Sequence, residues 1–275
     1  MFTRAAITLI AGIFLVSMSH GGALCATYAS SQTQETVMKM IDAHGGFDLW
    51  RNAPTVSFQS QLRVNFGGDN WVDYSEDVTV EQGSRRVYCE LKNTDGTTGR
   101  IAYDGENAWS AGNLQGVARA PARFTAWRNY YLFNIPWLTQ DDGVIFGEVT
   151  SAKIPNDEKE YLAVPMTFEA QAGDTPSDTY FLYIDPETRR LRAAEYGMTY
   201  KSMLPDGVES TPRSVFVWDE QTTVNGLVVL TRYTVYWKDG SVAVTGSVSD
   251  WAFDRPFDES RLAMPEDGSV DKSEP

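Results

Sequence analysis

From Thr55 onward, apolar and polar residues alternate along short segments, the period of a strand with one face in a core and the other in water. TVSFQSQLRVNF, WVDYSEDVTV, RRVYCELK, YLAVPMTFEA and TYFLYIDPE read this way, as do RLRAAEYGMTY, RSVFVWDEQTTV, LVVLTRYTVYW and SVAVTGSVSDWAF. Turn-forming residues separate them. Asn225-Gly226 and Asp239-Gly240 supply the positive φ angles that two-residue hairpins require. The segments amount to roughly eleven strands joined by local turns, an antiparallel meander. That is enough for a single large curved sheet or an unclosed β-barrel, in a mainly β (α+β) fold. The βαβ alternation of a parallel fold is absent.

Two stretches carry a helical period instead. SSQTQETVMKMIDAHGG places Val37, Met40, Ile41 and His44 on one face, with capping-box spacing between Ser31 and Gln34. Gly45 and Gly46 stop this N-terminal helix, and His44 in its last turn is placed to satisfy the free carbonyls there. The second stretch lies within ARAPARFTAWRNYYLFNIPWLTQ, from Pro121 at its start to Pro136 at its end. Phe124, Trp127, Tyr131 and Ile135 share a face, while Tyr130, Leu132 and Phe133 make the other sides apolar too. A helix apolar nearly all round is buried on more than one side. In a β protein it lies inside or across the mouth of a curved sheet, or packs on one sheet face as ordinary core.

The N-terminus reads differently from the rest. Arg4, the apolar run AAITLIAGIFLVSM and the small-residue stretch SHGGALCA form a signal peptide over about residues 1–25, cleaved between Gly22 and Ala29. Its apolar core is shorter than the ~20 residues that span a bilayer. Leu24 before Cys25 does not suit lipidation at that cysteine. Residues 30–264 then form one domain, and the acidic tail PEDGSVDKSEP (265–275) is expected to be disordered. With 23 Lys and Arg against 37 Asp and Glu, the net charge of −14 disfavours nucleic acid and anionic membrane surfaces as partners.

Little catalytic chemistry can be assembled. Beyond the signal region there is one histidine, His44, and one cysteine, Cys89, which reads as a core residue in VYCEL. A His/Cys zinc site, a nucleophile elbow, a Walker loop and a dinucleotide fingerprint are all missing, so no metal or cofactor is expected. GGDNWVD, NTDGTTG and YDGEN set acids beside glycines without the full spacing of a calcium loop, and read as hairpin turns. A hydrolase using His44 or a pair of acids is the remaining enzymatic reading. The aromatic content is high: eight Trp, thirteen Tyr and thirteen Phe. It suits a protein enclosing an apolar cavity or binding sugar rings.

Four stretches carry a family resemblance. IAYDGENAWSAGN (101–113) is similar to a strand–turn–strand with a tryptophan-bearing second strand, and FLYIDPETRRLRAAEYG (181–197) to a strand ending in Ile-Asp-Pro. DWAFDRPFDESRLAMPEDG (250–268) resembles a closing strand, and HGGFDLWRNAPTVSF (44–58) an opening "His-Gly-Gly … Trp". Together, in this order, they resemble the LolA/LolB lipoprotein-carrier superfamily of the bacterial envelope. The resemblance implies a periplasmic protein with an unclosed barrel whose helices cover an apolar inner face. It also implies a lipid, acyl chain or other hydrophobic small molecule as ligand, or an envelope protein as partner, since some members are stress sensors. The carriers' lid arginine is not assigned to Arg63, Arg123 or Arg128. On this reading Phe124, Trp127, Tyr131 and Ile135 line the cavity from the helix. Trp109, Leu162, Val164, Met166 and Phe168 line it from the sheet, the last four alternating onto one face.

Overall fold

In the computed structural model, which describes residues 26–65, 67–114 and 120–274, the alternating segments join into one sheet. The expected signal peptide, with Cys25, lies outside the described residues. The strands are β1 (Thr27–Tyr28), β2 (Thr55–Asn65), β3 (Trp71–Glu81), β4 (Val87–Asn93), β5 (Thr98–Tyr103), β6 (Ala108–Gly112), β7 (Val144–Phe146) and β8 (Thr150–Ala152). After them come β9 (Tyr161–Phe168), β10 (Thr179–Ile184), β11 (Leu191–Gly197), β12 (Ser214–Val224), β13 (Leu227–Trp237), β14 (Val242–Ala252) and β15 (Ser269–Val270). Their order across the sheet is β1-β7-β9-β10-β11-β12-β13-β14-β2-β3-β4-β5-β6-β15, with β8 also on β9. The sheet does not close into a barrel. Pairing is antiparallel apart from β1 with β7. Nine of the eleven longer strands are the segments the alternation marks, and β5 and β6 flank the Asp-Gly turn of 101–113; β1, β7, β8 and β15 have two or three residues each, too few to show a period.

One main core fills the concave face. Val56, Phe58 and Leu62 of β2, Val78 and Val80 of β3, and Val229, Tyr233 and Val235 of β13 all point into it. Gly246 lies opposite Tyr233, and a Cβ there would stand 2.3 Å from the Tyr233 ring. The missing side chain is what lets that ring lie flat over β14. Two smaller clusters cover parts of the outer face: Tyr161, Ala163, Tyr183, Ala193, Val215 and Val217 with Ile154, and Tyr88, Ala102, Trp109 and Ala111 with Phe257 and Leu262.

Four helices cross the concave side: α1 (Ser31–Ala43), α2 (Phe47–Arg51), α3 (Ala122–Phe133) and α4 (Ile135–Leu138). The cap of α1 is Ser30, whose hydroxyl accepts from the Thr33 amide, one residue before the expected capping box. Gly45 has φ 100°, and a Cβ on it would stand 2.3 Å from the Gly226 carbonyl oxygen. It therefore serves both the helix stop and the close approach of the β12–β13 turn. Pro136 does not simply end the aromatic helix. Asn134 does so, donating from Nδ2 to the Tyr130 carbonyl (2.8 Å) and accepting from Trp50 Nε1 (3.0 Å), and Pro136 sits in the first turn of α4.

His44 departs from expectation. Its imidazole ignores the helix carbonyls and binds the sheet, with Nδ1 2.9 Å from the Val228 carbonyl and Nε2 accepting from the Leu191 amide at 3.0 Å. These partners place the proton on Nδ1 and leave a neutral ring. The residue is 0 % exposed, edge-on to Trp137 and Trp218. Burial pushes its pKa down to about 4. His44 is a cross-link between α1 and two strands.

Candidate functional site

α3 packs across β4, β5 and β6 with Tyr130 and Phe133 sunk in the core. The Phe133 ring lies 5.2 Å from both Phe58 and Tyr233. The opposite side of the helix faces a cavity of about 520 Å³. Phe124, Trp127 and Tyr131 form its helical wall; Phe168 of β9, Tyr180 of β10 and Tyr196 of β11 form the sheet wall. Met198, Tyr200 and Met203, between β11 and β12, and Tyr103 of β5 also line it, together with charged groups that include Arg85, Arg123, Arg128, Asp141, Asp142, Asp174 and Asp178. Edge and tilted ring contacts tie the walls together: Phe124 to Tyr200 at 5.4 Å, Trp127 to Tyr103 at 5.5 Å and Tyr131 to Tyr180 at 5.9 Å. A larger hollow of about 720 Å³ lies over polar strand residues such as Gln61, Arg63, Asp73, Ser75 and Lys92. Its chemistry is that of a solvated sheet face.

Of the residues expected to line the site, Phe124, Trp127, Tyr131 and Phe168 are on the cavity wall. Leu162, Val164 and Met166 share the inner sheet face with Phe168 but pack into the core away from the cavity. Ile135 is buried core at the start of α4. Trp109 is on the wrong face. Its neighbour Ala108 points into the main core, so strand parity turns Trp109 outward, where Nε1 donates to the Leu262 carbonyl at 2.7 Å. Tyr180 and Tyr196 were not anticipated. Register explains them: Tyr180 stands between Met166 on β9 and Tyr196 on β11.

Charged groups share the lining with the aromatic residues, and the three arginines among them are paired. Arg85 holds Asp141 through two bonds of 2.8 and 2.6 Å, and Arg123 holds Asp174 through two of 2.5 and 2.6 Å. Arg128, its side chain 22 % exposed, donates to Glu76 Oε1 at 2.6 Å and to the Tyr74 hydroxyl at 3.2 Å. Asn129 donates to the other Glu76 oxygen. Glu76 is only 1 % exposed, and burial pushes its pKa up against the pull of Arg128. Among the described residues, no group of His, Cys, Asp and Glu is placed to hold a metal ion, and no helix is long and apolar enough to cross a membrane.

The acidic tail is ordered through Glu274, contrary to expectation, and lies beside this site. Ser269 and Val270 pair with Ser110 and Trp109 of β6. The Asp271 carboxylate then accepts from the Arg123 amide at 2.8 Å, which caps an α3 whose own first residues offer no side-chain cap. Ser273 meets the Tyr200 hydroxyl at 3.1 Å, and the Glu274 amide donates to Ser202 Oγ at 2.8 Å. Asp271→Ala is expected to cost about 1 kcal/mol. It should speed amide exchange in the first turn of α3, and unchanged protection there would refute the capping role.

No family model matches the sequence, and no curated protein matches it either. Solved structures do share its architecture. A DUF1329 family protein from Desulfovibrio piger aligns with TM-score 0.52 at 11% identity, over 84% of this chain and 96% of that one. A LolA superfamily protein from Nitrosomonas europaea aligns with TM-score 0.51 at 10% identity, over 82% and 97% respectively. An unclosed sheet, helices across its concave face and these alignments lead to one conclusion: the chain has the LolA-like fold.

Proposed function

We propose that this is a periplasmic, non-enzymatic carrier that holds a hydrophobic ligand, an acyl-bearing lipid, in the cavity between α3 and the sheet. The observation that carries this reading is the cavity's aromatic and methionine lining in a LolA-like fold. Its volume supports a ligand of modest size. At roughly 30 Å³ for a group the size of a water or a methylene, about 520 Å³ takes one long chain rather than several. The three arginines of the lining are each paired with an acid, so none stands as a free cation against the aromatic wall.

The test is mass spectrometry of the protein purified without detergent, first native and then denatured, joined to uptake of the uncharged fluorophore N-phenylnaphthylamine. A released apolar molecule at near-stoichiometric amount, or saturable fluorophore binding, is expected. Phe124→Asp puts a carboxylate on the helical wall and is expected to weaken fluorophore binding about 100-fold. Undiminished binding by the folded variant would move the ligand out of this cavity.

A further inference from the structure

Three tyrosines on the cavity wall share a property that the other tyrosines around it lack. Tyr103 donates to the Gly105 carbonyl, Tyr200 meets Ser273, Tyr130 donates to Gln82, and Tyr74 accepts from Arg128. Tyr131, Tyr180 and Tyr196 have no hydrogen-bond partner for their hydroxyls among the described residues, although all three line the cavity and Tyr180 is only 7 % exposed. They form one group, with Tyr180 5.9 Å from Tyr131 and stacked 5.7 Å from Tyr196, ring centre to ring centre. A phenol on the wall of a cavity with no protein partner is free to donate to a ligand's acceptor, and a bond made there, out of bulk water, is worth more than one at the surface.

We propose that Tyr131, Tyr180 and Tyr196 form a donor subsite for an uncharged carbonyl, so that the ligand is a neutral acyl ester rather than a free fatty acid. This rests on the cavity reading above and assigns the polar part of its ligand. Burial raises the pKa of each phenol, that of Tyr196 to about 12, so all three remain protonated donors at neutral pH. Electrostatics then select against a carboxylate. Arg85, Arg123 and Arg128 are each committed to an acid, Asp141, Asp174 and Glu76 respectively. The carboxylate of Asp178, bonded only by the Thr199 amide and hydroxyl and the Thr175 hydroxyl, adds negative charge felt by all three phenols. A fatty-acid head would meet this charge with no unpaired cation among the described lining residues to offset it, whereas an ester carbonyl accepts from the phenols without a charge of its own.

The experiment compares hexadecane, palmitate and methyl palmitate as competitors of N-phenylnaphthylamine on the full-length protein at pH 7.5. Methyl palmitate is expected to bind at least tenfold more tightly than either of the others. Tyr180→Phe should lower the ester's affinity about fivefold, the scale of one hydrogen bond. The triple variant Tyr131→Phe, Tyr180→Phe, Tyr196→Phe keeps every ring and should remove the ester's advantage over hexadecane. If hexadecane competes and the ester has no advantage, or palmitate binds most tightly, the subsite is overturned while the cavity reading stands. If none of the three competes and the fluorophore itself does not bind, the cavity reading falls and the subsite with it.

Discussion

His44→Leu is expected to lower the free energy of unfolding by about 4 kcal/mol, the cost of leaving one buried donor and one buried acceptor unpaired. The donor is the Leu191 amide and the acceptor the Val228 carbonyl, both in the core and out of reach of solvent. The same residue gives the protein a pH dependence. Its folded pKa is about 4, against an ordinary value of 6.5, because burial disfavours the imidazolium. Between these values the unfolded chain binds a proton that the folded chain does not. The stability contributed by neutral His44 is therefore complete above pH 6.5 and is lost as pH falls toward 4. At about 1.4 kcal/mol per pH unit the loss approaches about 3 kcal/mol. Urea midpoints at pH 7.5 and pH 4.5 should show the gap between wild type and His44→Leu shrinking at the lower pH. A gap that stays constant would mean that the ring is not held neutral by burial.

Glu76→Ala should be comparably severe. It removes the carboxylate beneath α3 and leaves the Arg128 guanidinium without a counter-charge against an aromatic interior. Breaking one side of a buried pair costs about 3–5 kcal/mol, because the surviving charge stays desolvated. Replacing both partners behaves differently. Glu76→Leu with Arg128→Met substitutes apolar packing for the pair, and stability is expected to return to within about 1 kcal/mol of wild type. A double-mutant cycle by chemical denaturation measures this. Additive losses from the two single changes would show that the pair is not coupled. The double variant also tests what the pair does for ligand choice, since Arg128 lines the cavity.

The two predictions bear on what can be read from the chain alone. Period-2 alternation marked nine of the eleven longer strands, and the helical face of α1 followed from spacing; of the four residues chosen on the aromatic stretch, Phe124, Trp127 and Tyr131 are on α3 at the cavity and Ile135 begins α4. What failed depended on contacts distant in sequence. Trp109 sat one residue out of parity with the inner face, which only the placement of Ala108 reveals. Tyr180 and Tyr196 alternate as plainly as residues 162–168 do, yet their meeting depends on the register between β10 and β11. His44 ends a helix as expected, but its ring chose partners 147 and 184 residues away. The tail has the composition of a disordered segment, and one carboxylate, Asp271, finds an uncapped helix.

That last contact has a bearing on how the molecule is made. The amide of Arg123 and the carboxylate of Asp271 are 148 residues apart in the chain. Chains are synthesised from the N-terminus, so α3 emerges long before the group that caps it. Until Asp271 arrives, the first turn of α3, which carries Phe124, has no side-chain cap and is expected to fray. The unfinished protein is therefore expected to carry an uncapped aromatic helix through the second half of its synthesis. A chain cut short after β14 would lack Phe253, Phe257 and Leu262 as well as the Asp271 latch, and is expected to aggregate more readily than the full chain.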